Sequence, residues 1–71
     1  MSITVKVRLL PTRRETRTLR LSKNATVETA ILALNLFPDA WLAIRGDFPL
    51  PLDEILNDGD DIKLIAVVSG G

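Results

Sequence analysis

"LNDGDDIKLIAVVSGG", residues 56–71, holds a turn, a strand and an end. Asn57-Asp58-Gly59-Asp60 is a turn signal: Asn and Asp side chains hydrogen-bond nearby amides, and glycine takes a positive φ without a steric cost. The "IKLIAVV" that follows is strongly β-prone. Ile62, Leu64 and Ala66 share one parity, and Lys63, Ile65 and Val67 the other. Both faces of this strand are therefore partly apolar. Ser69, Gly70 and Gly71 come after it. Glycine loses more conformational freedom on ordering than any other residue, so the pair is a poor anchor. It suits a segment that must bend, extend and enter a narrow site. The other reading is a frayed end, and the rest of the chain has to decide between them.

Working back from that stretch, "DFPLPLDEIL" carries Pro49 and Pro51, which rule out a central strand. It reads as an irregular crossover with a possible helical turn at Asp53–Leu56. "AWLAIRG" before it reads as a strand ended by Gly46-Asp47. "SKNATVETAILALNLF" changes period: Val27, Ala30, Ile31 and Leu34 recur at helical spacing. Thr26 suits the N-cap and Glu28 the positive end of the helix dipole. Pro38 bars continuation, which predicts a helix of roughly ten residues ending near Asn35. At the start, Ile3, Val5, Val7 and Leu9 alternate with polar residues, and alternation resumes through Arg17, Leu19 and Leu21 after "PTRR". That is an N-terminal hairpin. The order ββαβ(crossover)β predicts an α+β roll: a mixed sheet of about four strands gripping one helix, the last strand beside the first.

Composition narrows the chemistry. The 71 residues make one domain, 46% hydrophobic, with no cysteine, histidine or tyrosine. Disulfides, thiolate metal sites and the commonest acid–base groups are thereby excluded. No apolar run approaches the roughly 20 residues that span a membrane, and "MSITVKVRLL" is too short and too regular for a signal peptide. A soluble, monomeric cytoplasmic protein is the expectation. Charge is segregated: residues 1–23 hold seven Lys and Arg against one acid, and the remainder holds two against eight. Such asymmetry marks either an anionic partner or two ends that pair in the fold.

The hairpin, "TVETAILAL", the Leu56–Ile62 "L-x-D-G-D-x-I" element and the final "V-x-G-G" together resemble the β-grasp ubiquitin-like proteins. The nearest branch is the sulfur carriers: the thiamin-type carrier, the molybdopterin synthase small subunit and the archaeal small modifiers. The resemblance covers essentially the whole chain. "VRLLPTRRETRTLRL" lacks the Phe-rich opening of the molybdopterin branch and the Asn-Gly turn of the thiamin type, so no pathway is singled out. The resemblance implies residues 1–68 as the domain and 69–71 as a flexible tail, with Gly71 the C-terminus. It implies that an activating enzyme spends ATP to adenylate the Gly71 carboxylate, which a sulfur donor or an enzyme cysteine then attacks. The chain itself would be no enzyme and would bind no cofactor. The product would be a thiocarboxylate delivered to a sulfur-acceptor enzyme, or an isopeptide bond to a target lysine.

In this reading Gly70 and Gly71 are the activated end, their missing Cβ atoms leaving room for a narrow channel. Ser69 marks where the tail leaves the sheet. Trp41, Ala43, Ile65 and Val67, with Val68 and Ser69, are the candidate partner-binding residues: an exposed apolar patch beside a working tail marks a docking face. The opposite parity would make Trp41 ordinary core. Asp58, Asp60 and Asp61 read as turn chemistry and not as a metal site. A β-grasp module holding RNA through Arg13, Arg14, Arg17 and Arg20 is a third reading. It lacks an aromatic platform and leaves the glycines unexplained.

Overall fold

The first strand alternates in sequence because its two faces meet different surroundings. In the computed structural model, which describes residues 1–10 and 15–67, β1 spans Ser2–Leu10. It buries Ile3, Val5, Val7 and Leu9 and exposes Ser2, Thr4, Lys6 and Arg8. β2 (Glu15–Ser22) runs antiparallel to it on one side, and β5 (Asp61–Ala66) runs parallel on the other. β3 (Trp41–Arg45) pairs antiparallel with β5, and β4 (Phe48–Leu50) closes the far edge. The sheet order is β2-β1-β5-β3-β4, a mixed sheet with α1 (Val27–Ala33) on one face. Helix and sheet share a core in which Val5, Val7, Val27, Ile31, Ile62 and Leu64 are fully buried. Each such side chain contributes about 1.5–3 kcal/mol, which is what holds a seven-residue helix that could not stand alone.

Five strands form where about four are predicted. The added one, β4, arises in the proline-containing stretch read as irregular, after a Gly46-Asp47 turn with Gly46 at φ 63°. Pro49 is tolerated because β4 is an edge, three residues long. The predicted helical turn at Asp53–Leu56 does not form. The carbonyls of Leu52 and Glu54 instead accept from Glu28 and Val27, both at 3.0 Å, in the first turn of α1. Leu56 donates to the Ala25 carbonyl at 2.8 Å, and Ile55 forms a bridge with Thr26. The crossover thus supplies acceptors to amides that a helix cannot satisfy within itself.

Thr26 is the N-cap as predicted, in a reciprocal box: its hydroxyl accepts from the Thr29 amide, and the Thr29 hydroxyl accepts from the Thr26 amide, both at 3.3 Å. The helix stops earlier than Pro38 requires. Asn35 adopts φ 62°, its amide donates to the Leu32 carbonyl at 3.0 Å, and Leu36 donates to the Ile31 carbonyl at 3.2 Å. Those two bonds are a Schellman closure, with asparagine in the position usually given to glycine.

The turn before β5 sets the sheet's register. Thr4 donates to Asp58 Oδ1 and accepts from the Gly59 amide, each at 2.8 Å. Gly59 sits at φ 86° in open space, so its backbone angle, not crowding, calls for glycine. Asp60 Oδ2 accepts from the Asn57 amide at 2.7 Å and from Arg45 Nη2 at 2.8 Å. Glu54 receives the other arm of Arg45 at 3.4 Å.

Two outcomes test this account by urea unfolding. Asn35→Gly holds or gains stability, whereas Asn35→Val, β-branched at positive φ, loses about 1–2 kcal/mol. Asp60→Ala loses about 1–3 kcal/mol by removing the charged acceptor shared by the Asn57 amide and the half-buried Arg45, and Asp61→Ala, whose pair with Arg8 is nearly half exposed on both sides, loses about 0–1 kcal/mol.

Candidate functional site

The segment that leads to the candidate tail is held at one point beyond the ladder. β5 ends at Ala66 opposite Trp41, and the Val67 amide then donates to the Ala40 carbonyl at 2.8 Å. Ala40 belongs to a single 3-10 turn, Pro38–Ala40, that opens β3. Val67 is half exposed and is the last described residue. Val68, Ser69, Gly70 and Gly71 lie outside the described residues, as does the predicted boundary between domain and tail.

The β3–β5 register decides which side chains surround that point. Paired residues share a face, and the pairs are Trp41 with Ala66, Leu42 with Ile65, Ala43 with Leu64, and Ile44 with Lys63. Leu64 is fully buried against the helix side, and Ala43 beside it is 2% exposed. Trp41 has the same parity and packs half-buried against the core. The expected placement of Trp41 and Ala43 on the open face is therefore corrected: both face the core. Ile65 does face the open side, and Val67 continues its parity.

In place of Trp41 and Ala43 the open face carries Leu42 and Ile44. Leu10 flanks Ile65 on the β1 side and Pro49 flanks Ile44 on the β4 side. Leu42 is 41% exposed, and Leu10, Ile44 and Ile65 are half-buried. Both parities of β3 are apolar, so alternation could not separate them. Arg45 shares parity with Ala43, yet sits at the strand's end, where its guanidinium reaches past the core to Asp60 and Glu54. The pairing of Ala43 with Leu64, a small residue against a large one, was the signal that could have found the register.

Cations border this apolar strip. Lys6, Arg8 and Lys63 lie in adjoining positions, Arg8 opposite Lys63 and Lys6 opposite Asp61. Asp61 binds Arg8 at 2.9 Å. It is the one ion pair among the described residues that joins the basic N-terminal segment to the acidic remainder, since Arg17 pairs with Glu15, and Arg45 with Glu54 and Asp60. Charge compensation between the two halves is therefore slight, and the open face stays cationic. The aspartates near the turn are occupied: Asp58 and Asp60 accept from backbone amides and Asp61 from Arg8. Among the described residues no group of three acids stands together in a metal-holding arrangement, and no helix is long and apolar enough to cross a membrane.

No protein-family model matches the chain, and a search of curated proteins finds no match. Solved structures do match. The ubiquitin of Caldiarchaeum subterraneum superposes with a TM-score of 0.75 at 22% identity, covering 100% of both chains. A protein designed de novo on the basis of ubiquitin gives 0.76 at 22% identity, over 97% of this chain and 93% of that one. The N-terminal ubiquitin-like domain of the 4931431F19Rik protein gives 0.73 at 20% identity, over 99% of this chain and 79% of that one. At such identities the likeness is one of fold. The architecture of this chain is the ubiquitin-like β-grasp.

Proposed function

We propose that this chain is a ubiquitin-like carrier whose Gly71 carboxylate is activated by a partner enzyme and converted to a thiocarboxylate for sulfur transfer. One observation carries the reading. An apolar strip of Leu42, Ile44 and Ile65 on a β-grasp scaffold lies beside Val67, and "VSGG" is the sequence that follows. A rigid handle next to a side-chain-free end is what delivery of a main-chain acid into an enzyme requires.

A free carboxylate resists nucleophiles because its charge is delocalised and oxide is a poor leaving group. Attack by a Gly71 carboxylate oxygen on the α-phosphorus of ATP forms an acyl-adenylate and releases pyrophosphate. A sulfur nucleophile at the level of sulfide then attacks the Gly71 carbonyl. The C–S bond forms, the C–O bond to AMP breaks, and a thiocarboxylate remains. ATP belongs to the partner. The carrier contributes reach: four residues follow Val67, and at about 3.3–3.6 Å each they span at most ~14 Å. On this reading the nucleotide site of the partner lies within that distance of Val67.

The second reading keeps the same activation and changes the acceptor. A lysine amine attacks the activated carbonyl, and Gly71 ends in an isopeptide bond. The partners are then target proteins in place of a sulfur-acceptor enzyme.

Intact mass of the protein from its native host separates the two readings. The carrier reading predicts one sulfur in place of one oxygen on the C-terminal peptide. Lysines of other proteins carrying the tryptic remnant Leu64–Gly71, with no sulfur on Gly71, overturn it in favour of the modifier. A chain lacking residues 70–71 that still supports thiolation or conjugation contradicts both.

The corrected docking face has its own test in the initial rate of activation. Ile44→Glu, a half-exposed position, keeps the fold and slows activation by about 30-fold, as loss of a 2 kcal/mol hot spot would. Trp41→Ala costs about 2 kcal/mol of stability, below the full core value because the ring is half-exposed, and leaves the activation rate of folded protein unchanged.

A further inference from the structure

Asp58-Gly59 is the one Asp-Gly pair in the chain, and it lies in the turn that sets the sheet's register. Glycine after aspartate leaves the aspartyl side chain open to its own backbone. The next amide nitrogen can reach Cγ of the carboxyl group, because no Cβ on the following residue crowds the approach. The fold can dispense with neither residue. Gly59 holds φ 86°, a conformation that side chains resist, and Asp58 Oδ1 accepts from the Thr4 amide at 2.8 Å.

Thr4 occupies both reacting groups at once. Its amide holds the Asp58 carboxyl, and its carbonyl accepts from the Gly59 amide at 2.8 Å. The nucleophile and the electrophile are each tied to β1, and ring closure between them requires both bonds to break. Two further bonds steady the turn: the Asp60 amide donates to the Asn57 carbonyl at 3.0 Å, and the Lys6 amide donates to the Asp60 carbonyl at 2.8 Å. Thr4 is anchored in turn by its strand, since Ile3 and Val5 on either side of it are buried. The β1–β5 ladder begins only at Lys6 opposite Asp61. The turn can therefore leave Thr4 while the core of the sheet stays paired.

We propose that Asp58-Gly59 is a latent site of self-modification, at which aspartate converts to isoaspartate when the turn leaves Thr4. The Gly59 nitrogen attacks Asp58 Cγ, an N–C bond forms, and the amide proton departs with the carboxyl hydroxyl as water. Water then adds to the Asp58 main-chain carbonyl, the bond from that carbon to the Gly59 nitrogen breaks, and the chain continues through Cβ and Cγ. The step consumes no oxidant or cofactor. The backbone is now one atom longer between Asp58 and Gly59, and the old main-chain carbonyl has become a free carboxylate. Thr4 can no longer hold both groups, so the altered chain does not reclose the turn. The site thus keeps a permanent record of opening. It stands apart from Gly71, whether or not the carrier reading holds.

The test compares the full 71-residue chain with an end-capped peptide of residues 56–61, incubated for days in the same buffer. Isoaspartate in the tryptic peptide 46–63 is separated from aspartate by chromatography. Ring closure is far slower than reclosing of a turn, so its rate follows the open population. The folded chain is expected to convert more slowly than the peptide by about 30-fold or more, and the difference vanishes in unfolding urea. The Asp58→Asn protein keeps the acceptor oxygen and shows the same contrast as a gain in mass, from amide to acid. The purified isoaspartyl chain is expected to unfold at about 1 M less urea. Equal rates in the folded chain and the peptide overturn the proposal, as does a peptide that does not convert. Protection that persists in the unfolded chain overturns it too. An isoaspartyl chain with an unchanged urea midpoint, its Gly59 amide still protected from exchange, contradicts the loss of the turn.

Discussion

The parallel pairing of β1 with β5, Lys6 opposite Asp61 through Leu10 opposite Ile65, joins segments more than fifty residues apart, and every other feature depends on its register. Bringing such distant segments together costs loop entropy, and the Asn57–Asp60 turn offsets part of it by holding both backbone groups of Thr4. A slip of one residue would turn Ile62 and Leu64 outward and Lys63 and Ile65 inward. It would place a charge in the core and strip the open face of its apolar strip. The side chains that fill the interior and those that wait on the surface are chosen by the same few hydrogen bonds.

That constraint explains why some features were readable in the residues and others were not. β1 borders polar surroundings on one face over most of its length, and its alternation from Ile3 to Leu9 therefore survives as a sequence signal. Thr26 could be identified because capping is local chemistry, confined to Thr26 and Thr29. The helix end near Asn35 was legible because Pro38 is a visible stop, whereas the positive φ at Asn35 that closes the helix is a conformational detail. In β3 both parities are apolar, and Arg45 answers to Asp60 fifteen residues away. Its face is settled by pairing with Leu64, which no local pattern contains. β4 escaped notice for a related reason: Pro49 excludes a central strand, and the edge position that admits it is a property of the whole sheet.

Division of labour follows from the layout. The helix side of the sheet is spent on stability. The open side is spared, keeping Leu42, Ile44 and Ile65 accessible within a cationic border of Lys6, Arg8 and Lys63. An acidic partner approaching this face would be steered by the border before the apolar strip is desolvated. The chain carries no histidine, cysteine or tyrosine, and the proposed chemistry asks none of them of it. Its role there is geometric: a carbonyl carbon brought to an enzyme at a set distance from a docked surface.

The most direct measurement is chemical capture of the activated end. The purified chain is incubated with extract of its native host, ATP and hydroxylamine, and the mass of its C-terminal peptide is read. Acyl-adenylates and thioesters both yield to hydroxylamine, so the account predicts a Gly71 hydroxamate that requires ATP and forms about 30-fold more slowly in the Ile44→Glu protein. A Gly71 carboxylate unchanged by ATP would contradict it.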